Sequence, residues 1–281
     1  MARPHIEFIQ AQRLPWVADG LGLQRAGVRT KILSRDARTG AVSAIVQYPP
    51  GWRRPTETLA IDEEFFVLDG ALTHAKSGGE IMQYGPDCYA FWPQGMARGE
   101  MSAPKGATVL TFLSGPLIQQ AMAMFDTSRM VERIDIREGE WIADLAAMGL
   151  TVMASTSKIR RLRSDPISGE ITYVTAVIPY MRETQSERHP VIQEIFVLAG
   201  GVAGNTGTMQ AGAYTWRPEN ITHGPYGSTT GAVFLFRSHG GPQTTEHDAP
   251  VPYSFDVPHR PVLPPELEAL GREPYKGFER Y

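Results

Sequence analysis

The chain repeats itself once, and that duplication limits what it can fold into. Trp16-Val17-Ala18-Asp19 returns as Trp141-Ile142-Ala143-Asp144, and Leu33-Ser34-Arg35-Asp36 as Leu162-Arg163-Ser164-Asp165. Glu64-Phe65-Phe66-Val67-Leu68-Asp69-Gly70 returns as Glu194-Ile195-Phe196-Val197-Leu198-Ala199-Gly200. Trp92-Pro93 with Arg98-Gly99 returns as Arg217-Pro218 with His223-Gly224. The blocks keep their order at offsets between 125 and 130 residues. Solenoid repeats recur every 20 to 50 residues or so, and this period is far longer. It is the size of an ordinary domain. The reading is therefore two copies of one domain, residues 1–125 and 126–281, the second ending in a proline-rich tail.

Each copy reads as all-β. Residues 41–48, 64–68 and 107–113 are rich in β-branched and aromatic side chains, as are 170–178, 194–198 and 231–237. Glycine and proline punctuate the gaps, at Pro49-Pro50-Gly51, Gly85-Pro86-Asp87, Gly200-Gly201 and Asn205-Thr206-Gly207. Many short strands with tight turns predict a sandwich, barrel or jelly roll. Pro116–Phe125 and Pro265–Leu270 are the two segments expected to be helical, each with proline at an early position. Residues 126–128 are the expected linker. The tail from Asp248 onward is expected to run extended over a surface or a partner subunit.

Composition excludes several function classes. A net charge of −3 gives no field that draws the chain to nucleic acid or to an anionic membrane. The cluster Lys158-Ile159-Arg160-Arg161-Leu162-Arg163 reads as a solvated strand face or subunit contact. One cysteine, Cys88, allows no internal disulfide. No apolar run reaches the roughly 20 residues of a membrane-spanning helix. The expectation is a cytoplasmic protein.

The chemistry concentrates between Glu187 and His223. His189 and His223 stand 34 residues apart, each beside a strand-like run, with Glu187, Gln193 and Glu194 close to the first. If those strands are neighbours in one barrel, the five side chains can converge on a small metal or ligand site. The alternative is that both are turn histidines, His189 before Pro190 and His223 before Gly224-Pro225. Successive side chains of a strand point to opposite faces, so only one of Gln193 and Glu194 can face inward.

These residues resemble the cupin superfamily, and specifically a bicupin with two tandem jelly-roll barrels. The family's first motif runs Gly, five residues, His-x-His, three or four residues, Glu, six residues, Gly. The second is Pro-x-Gly-x-x-His. In the first half Gly51, Glu57, Leu59, Glu63 and Gly70 fall on the first motif, and Pro93, Gly95 and Arg98 on the second. In the second half Glu187, His189, Gln193 and Gly200 fall on the first, and Pro218 and His223 on the second. The run from Arg217 to Ser228 is similar to cupins grouped with acetylacetone-cleaving dioxygenases and with the sensor half of ChrR-type anti-sigma factors.

The resemblance implies a metal-free first barrel, because Leu59 offers no ligand atom and Arg98 is a permanent cation. Arg98, paired there with Glu57 or Glu63, remains a candidate for holding an anion, and Tyr214 is a candidate ligand contact in the second half. For the second barrel the resemblance implies a divalent transition metal on His189, His223, Glu187 and Gln193. Iron is the first candidate, with manganese, nickel or zinc also suited to such donors. Glu187 and Glu194 are the expected catalytic carboxylates. The expected function is a metal-dependent enzyme acting on a small organic substrate, such as a dioxygenase cleaving a C–C bond. The alternatives are a non-catalytic binding or sensor protein and a non-redox lyase, isomerase or hydrolase. A homodimer is expected, since cupins pair through their sheets.

Overall fold

A computed structural model describes residues 3–22, 26–76, 78–143, 157–277 and 281. The chain folds as two tandem cupin-type jelly-roll barrels, almost entirely of antiparallel strands. The repeat's Asp144 lies outside the described residues.

The first unit is built on a sheet ordered Val131–Asp135, Cys88–Trp92, Glu63–Gly70, Ala107–Leu113, Val42–Tyr48, Arg29–Arg35 and Val17–Ala18. A second sheet runs Trp52–Arg54, Glu100–Ala103, Leu72–Ala75 and Ile81–Tyr84. Between them Val46, Phe65, Val67, Leu72, Trp92 and Val109 form one buried cluster. At roughly 1.5–3 kcal/mol per fully buried apolar side chain, this cluster is the main force holding the barrel closed.

The second unit repeats the plan, in the order Ile6–Gln10, Ala213–Arg217, Ile192–Gly204, Ala232–His239, Ile171–Val177 and Ser157–Ser164. Its core gathers Phe8, Val177, Ile195, Val197, Val202 and Phe234. Gly70 and Gly200 occupy the same bend in the two copies, at φ of 71° and 69°. A Cβ there would meet the carbonyl oxygen of Gly106 at 2.3 Å or of Gly231 at 2.1 Å, so only glycine fits.

The chain is not divided where the repeat alone places the boundary. Pro4–Arg13 belongs to the second unit, whereas the first extends to Glu138. The reason is an exchange of outer strands. Val131–Asp135, beyond the expected boundary, pairs with Cys88–Trp92 of the first unit. The equivalent place beside Ala213–Arg217 in the second unit is taken by Ile6–Gln10, from the start of the chain.

Three local expectations meet the structure differently. Pro265–Gly271 is helical. Residues 117–125 are not, because their backbone bonds to a neighbouring strand: Ala60 N–H donates to Ile118 at 2.9 Å, and Gln120 N–H to Thr58 at 3.0 Å. The proline-rich tail runs extended over the second unit, with Val251 N–H on the Thr184 carbonyl at 2.7 Å and Tyr253 Oη donating to the Ala203 carbonyl at 2.9 Å. No described helix is long and apolar enough to cross a membrane.

Candidate metal centre in the second barrel

Backbone pairing brings the two motif strands together. Glu187 N–H donates to the His223 carbonyl and His223 N–H to the Glu187 carbonyl, both at 2.9 Å. Residues paired this way in an antiparallel ladder put their side chains on one face. Glu187 Oε1 consequently lies 3.2 Å from His223 Nε2 and 3.6 Å from His189 Nε2. One ligand atom from each of Glu187, His189 and His223 falls within 4.8 Å of the other two.

The second nitrogen of each imidazole is committed to the backbone. His189 Nδ1 donates to the Thr244 carbonyl at 2.9 Å, and His223 Nδ1 to the Ile221 carbonyl at 2.9 Å. Those bonds set the tautomer and leave Nε2 of each ring unprotonated, the usual outer-shell arrangement of a metal-bound histidine. Burial, helped by the Arg217 charge, holds His223 below its ordinary pKa and therefore neutral. Its Nε2 then finds no hydrogen-bond donor and instead faces a carboxylate oxygen. A cation between them would reconcile two acceptors 3.2 Å apart. Burial alone would raise the Glu187 carboxyl, but its contacts with the His189 and His223 rings hold it well below the usual range, so it stays ionised. The residues fit a divalent metal, held by two imidazoles and one carboxylate with room for further ligands.

Gln193 behaves differently from a ligand. Its Oε1 accepts from Arg217 Nη1, and its Nε2 donates to His189 Nε2 at 3.1 Å. It presents an N–H rather than an oxygen to the cluster, which corrects its expected role as a metal ligand. Glu194 points to the opposite face of the strand. There it accepts from Tyr214 Oη at 2.7 Å and contacts Arg237 and His239 Nε2. The alternation of strand side chains thus takes Glu194 out of the expected catalytic set and Tyr214 out of the expected ligand contacts. Glu64 and Tyr89 make the same 2.7 Å bond in the first barrel, so this pair belongs to the duplicated framework.

Four residues that the sequence reading passed over complete the site. Arg217, fully buried, donates to both oxygens of Glu7, to Gln193 Oε1 and to Tyr226 Oη. Burial would raise the Glu7 carboxyl, but the Arg217 charge lowers it to about 2. Glu183 accepts from the Tyr226 backbone N–H at 3.1 Å. Burial and the nearby Glu187 charge push its carboxyl up to about 8. Arg217 was visible as the repeat partner of Trp92, a divergence that signals a changed environment. Glu7, 210 residues away, carried no local signal.

The ligand atoms open on a cavity of about 70 Å³. At roughly 10–15 Å³ per water measured this way, it holds about five waters. Much of its lining is apolar, with Val177, Met181, Ile195, Val202, Met209, Phe234 and Phe236. Glu183, Glu187, His189, Gln193, His223 and Tyr226 are among its polar lining residues. No lysine or arginine is among the described lining residues.

The first barrel fills the equivalent space with its own side chains. Arg98 pairs with Glu57 across the backbone ladder just as His223 does with Glu187. The fully buried Arg98 guanidinium donates to Glu63 Oε2 and to the Ile61 carbonyl, both at 2.8 Å, while Glu57 lies 3.3 Å from Arg54 Nε. Arg98, considered above as an anion-holding residue, is thus charge-matched internally by Glu63. Leu59 stands where His189 stands in the other copy and joins the apolar core.

Comparison with known proteins agrees with this fold. The profile of a domain of unknown function, DUF4437, matches residues 9–244. No curated protein sequence matches the chain. Among solved structures, a candidate dioxygenase from Nostoc punctiforme is 20% identical, with 89% of this chain and 92% of that one covered and a TM-score of 0.75. Oxalate decarboxylase from Bacillus subtilis is 12% identical over 86% of this chain and 78% of that one, with a TM-score of 0.55. Escherichia coli YlbA is 13% identical over 83% and 90%, with a TM-score of 0.58.

Proposed function

The chain belongs to the DUF4437 family, and we propose that it is a metal-dependent enzyme acting on a small, oxygen-bearing organic substrate in the second barrel. The observation that carries this reading is the meeting of His189 Nε2, His223 Nε2 and the Glu187 carboxylate at one point, with both Nδ1 atoms tied back to carbonyls. These three residues would hold the ion. When bound, it would supply a Lewis acid, and with iron also a redox centre. The protein's own contribution is an apolar wall that would position the substrate and a protonated Glu183 carboxyl beside the ligand set. The cavity volume selects a substrate of only a few heavy atoms. The ionised Glu187 and the absence of a lysine or arginine among the described lining residues favour an uncharged molecule over a dicarboxylate.

Within this class, oxidative C–C cleavage is the reading supported by the likeness to the Nostoc protein. A non-redox lyase, isomerase or hydrolase uses the same donors, and oxalate decarboxylase, whose Mn(II) centres have been characterised, shares the fold. The test is metal content per subunit for the untagged chain and for His189→Ala/His223→Ala. About one transition metal per chain, lost in the variant, supports the proposal. Iron with substrate-dependent oxygen uptake selects the dioxygenase, and zinc, manganese or nickel the non-redox reactions. No metal after reconstitution refutes it.

One observation favours a second reading, a binding or sensor barrel. The Gln193 amide already occupies the His189 lone pair. A sensor of this kind keeps its small-molecule affinity when His223 is replaced by alanine. The homodimer is carried forward as a proposal, because pairing between copies would cover exposed strand edges. A monomer by light scattering at micromolar concentration refutes it.

A further inference from the structure

Gln193 sits where the resembled motif has a glutamate, yet its amide is not free to turn. Arg217 Nη1 donates to Oε1, and a guanidinium has no acceptor to offer the amide nitrogen in exchange. Arg217 is itself fixed by two contacts to Glu7, from the N-terminal strand, and by Tyr226 Oη at 2.8 Å. The Gln193 N–H is therefore aimed at His189 Nε2, at 3.1 Å, with both side chains buried. A cation bound by His189 takes that lone pair. The N–H then loses its acceptor, and a buried donor left without one costs about 1–3 kcal/mol. Only an oxygen entering the cavity beside the cation can replace it.

We propose that Gln193 is a specificity-determining hydrogen-bond donor to the oxygen of the bound small molecule, and that Glu7 and Arg217 are positioning residues that hold it in that role. The inference rests on the metal reading above. It names the ligand class as oxygen acceptors such as carbonyls, enols and hydroxamates. Amines, which would point a donor at a donor, are rejected. It also makes the first strand of the chain part of the site, since Glu7 lies 210 residues from Arg217 in sequence.

Cobalt(II) serves as the probe metal, because its visible spectrum reports both its own binding and that of a ligand beside it. Acetohydroxamic acid is the oxygen-acceptor probe. In Gln193→Leu, cobalt affinity is expected to stay within about threefold of wild type or to rise, because the His189 lone pair is released. Affinity of the cobalt-loaded protein for acetohydroxamic acid is expected to fall about tenfold, the loss of one buried hydrogen bond. Gln193→Glu, of nearly the same size, is expected to raise cobalt affinity about tenfold and to weaken the probe at least as much as leucine does. Glu7→Gln is expected to weaken the probe while cobalt affinity holds. A tenfold loss of cobalt affinity in Gln193→Leu would make Gln193 a ligand and overturn the proposal. Unchanged probe affinity in both Gln193 variants would overturn it too. Failure of the wild type to bind cobalt overturns the metal reading and this inference together, and so differs from failure of the inference alone.

Discussion

Glu183 is the side chain whose protonation the barrel controls most directly. Its carboxyl, ordinarily near 4.5, is raised to about 8 by burial and by the charge on Glu187. The folded state therefore binds a proton that the unfolded state releases between these two values, and stability falls as pH rises through that window. Glu183→Gln keeps an oxygen for the Tyr226 N–H and removes the charge. The metal-free variant is expected to match wild type near pH 4.5 and to be more stable by about 1–3 kcal/mol above pH 8, a figure reduced for partial solvent access. Thermal midpoints at pH 5 and pH 8.5 check this, and an equal gain at both would refute it. The metal ligands give the complementary expectation. Either His189→Ala or His223→Ala should weaken metal binding at least 100-fold, measured by titration, because a three-residue set has no spare donor. His189, His223 and Glu187 were legible as candidates through their resemblance to the cupin motifs, which named Gln193 with them. Which of Gln193 and Glu194 turns inward was not, because a one-residue change of register reverses every side chain of a strand.

At the scale of the element, the N-terminal strand Ile6–Gln10 does two jobs. It pairs with Ala213–Arg217 and delivers Glu7 to Arg217. Removing one partner of a buried ion pair leaves the other charge uncompensated. Glu7→Ala is therefore expected to cost about 3–5 kcal/mol, and adding Arg217→Met should recover most of that loss. Chemical denaturation of the two variants and of wild type measures the coupling; additive losses would show that the pair is not the cause. The strands themselves were legible, since runs such as 107–113 and 231–237 are rich in β-branched and aromatic residues. The non-helical path of 116–125 was hidden, because Pro-Leu-Ile-Gln-Gln-Ala-Met-Ala-Met-Phe has the composition of a helix. Pairing with Thr58 and Ala60 outweighs so weak a local preference.

At the scale of the whole molecule, duplication has produced two barrels with opposite solutions to one electrostatic problem. Glu57 and Glu187 are carboxylates at matching places. In the first barrel Arg54 lies 3.3 Å from Glu57 and Arg98 neutralises Glu63, whereas in the second His223 and Glu187 form a set that would take an ion. Wild type is expected to bind one metal per chain. The double variant Leu59→His/Arg98→His, which rebuilds two imidazoles beside Glu57 and Glu63, is expected to approach two per chain, with lower stability when metal-free. Metal analysis after dialysis decides the matter, and a stoichiometry that stays at one in a folded variant would show that the first barrel cannot be reopened by these two positions.

The sequence by itself determined the duplication, the all-β class and the three residues of the candidate metal centre. The first two are carried by repeated blocks and strand composition, and the third by the resemblance of two short stretches to the cupin motifs. Tertiary structure alone decided that the first strand belongs to the second barrel, that Arg217 and Glu7 clamp Gln193, and that Glu194 faces away. Those outcomes depend on pairing between segments as far as 210 residues apart and on the register of one strand, and neither leaves a mark in the local order of residues.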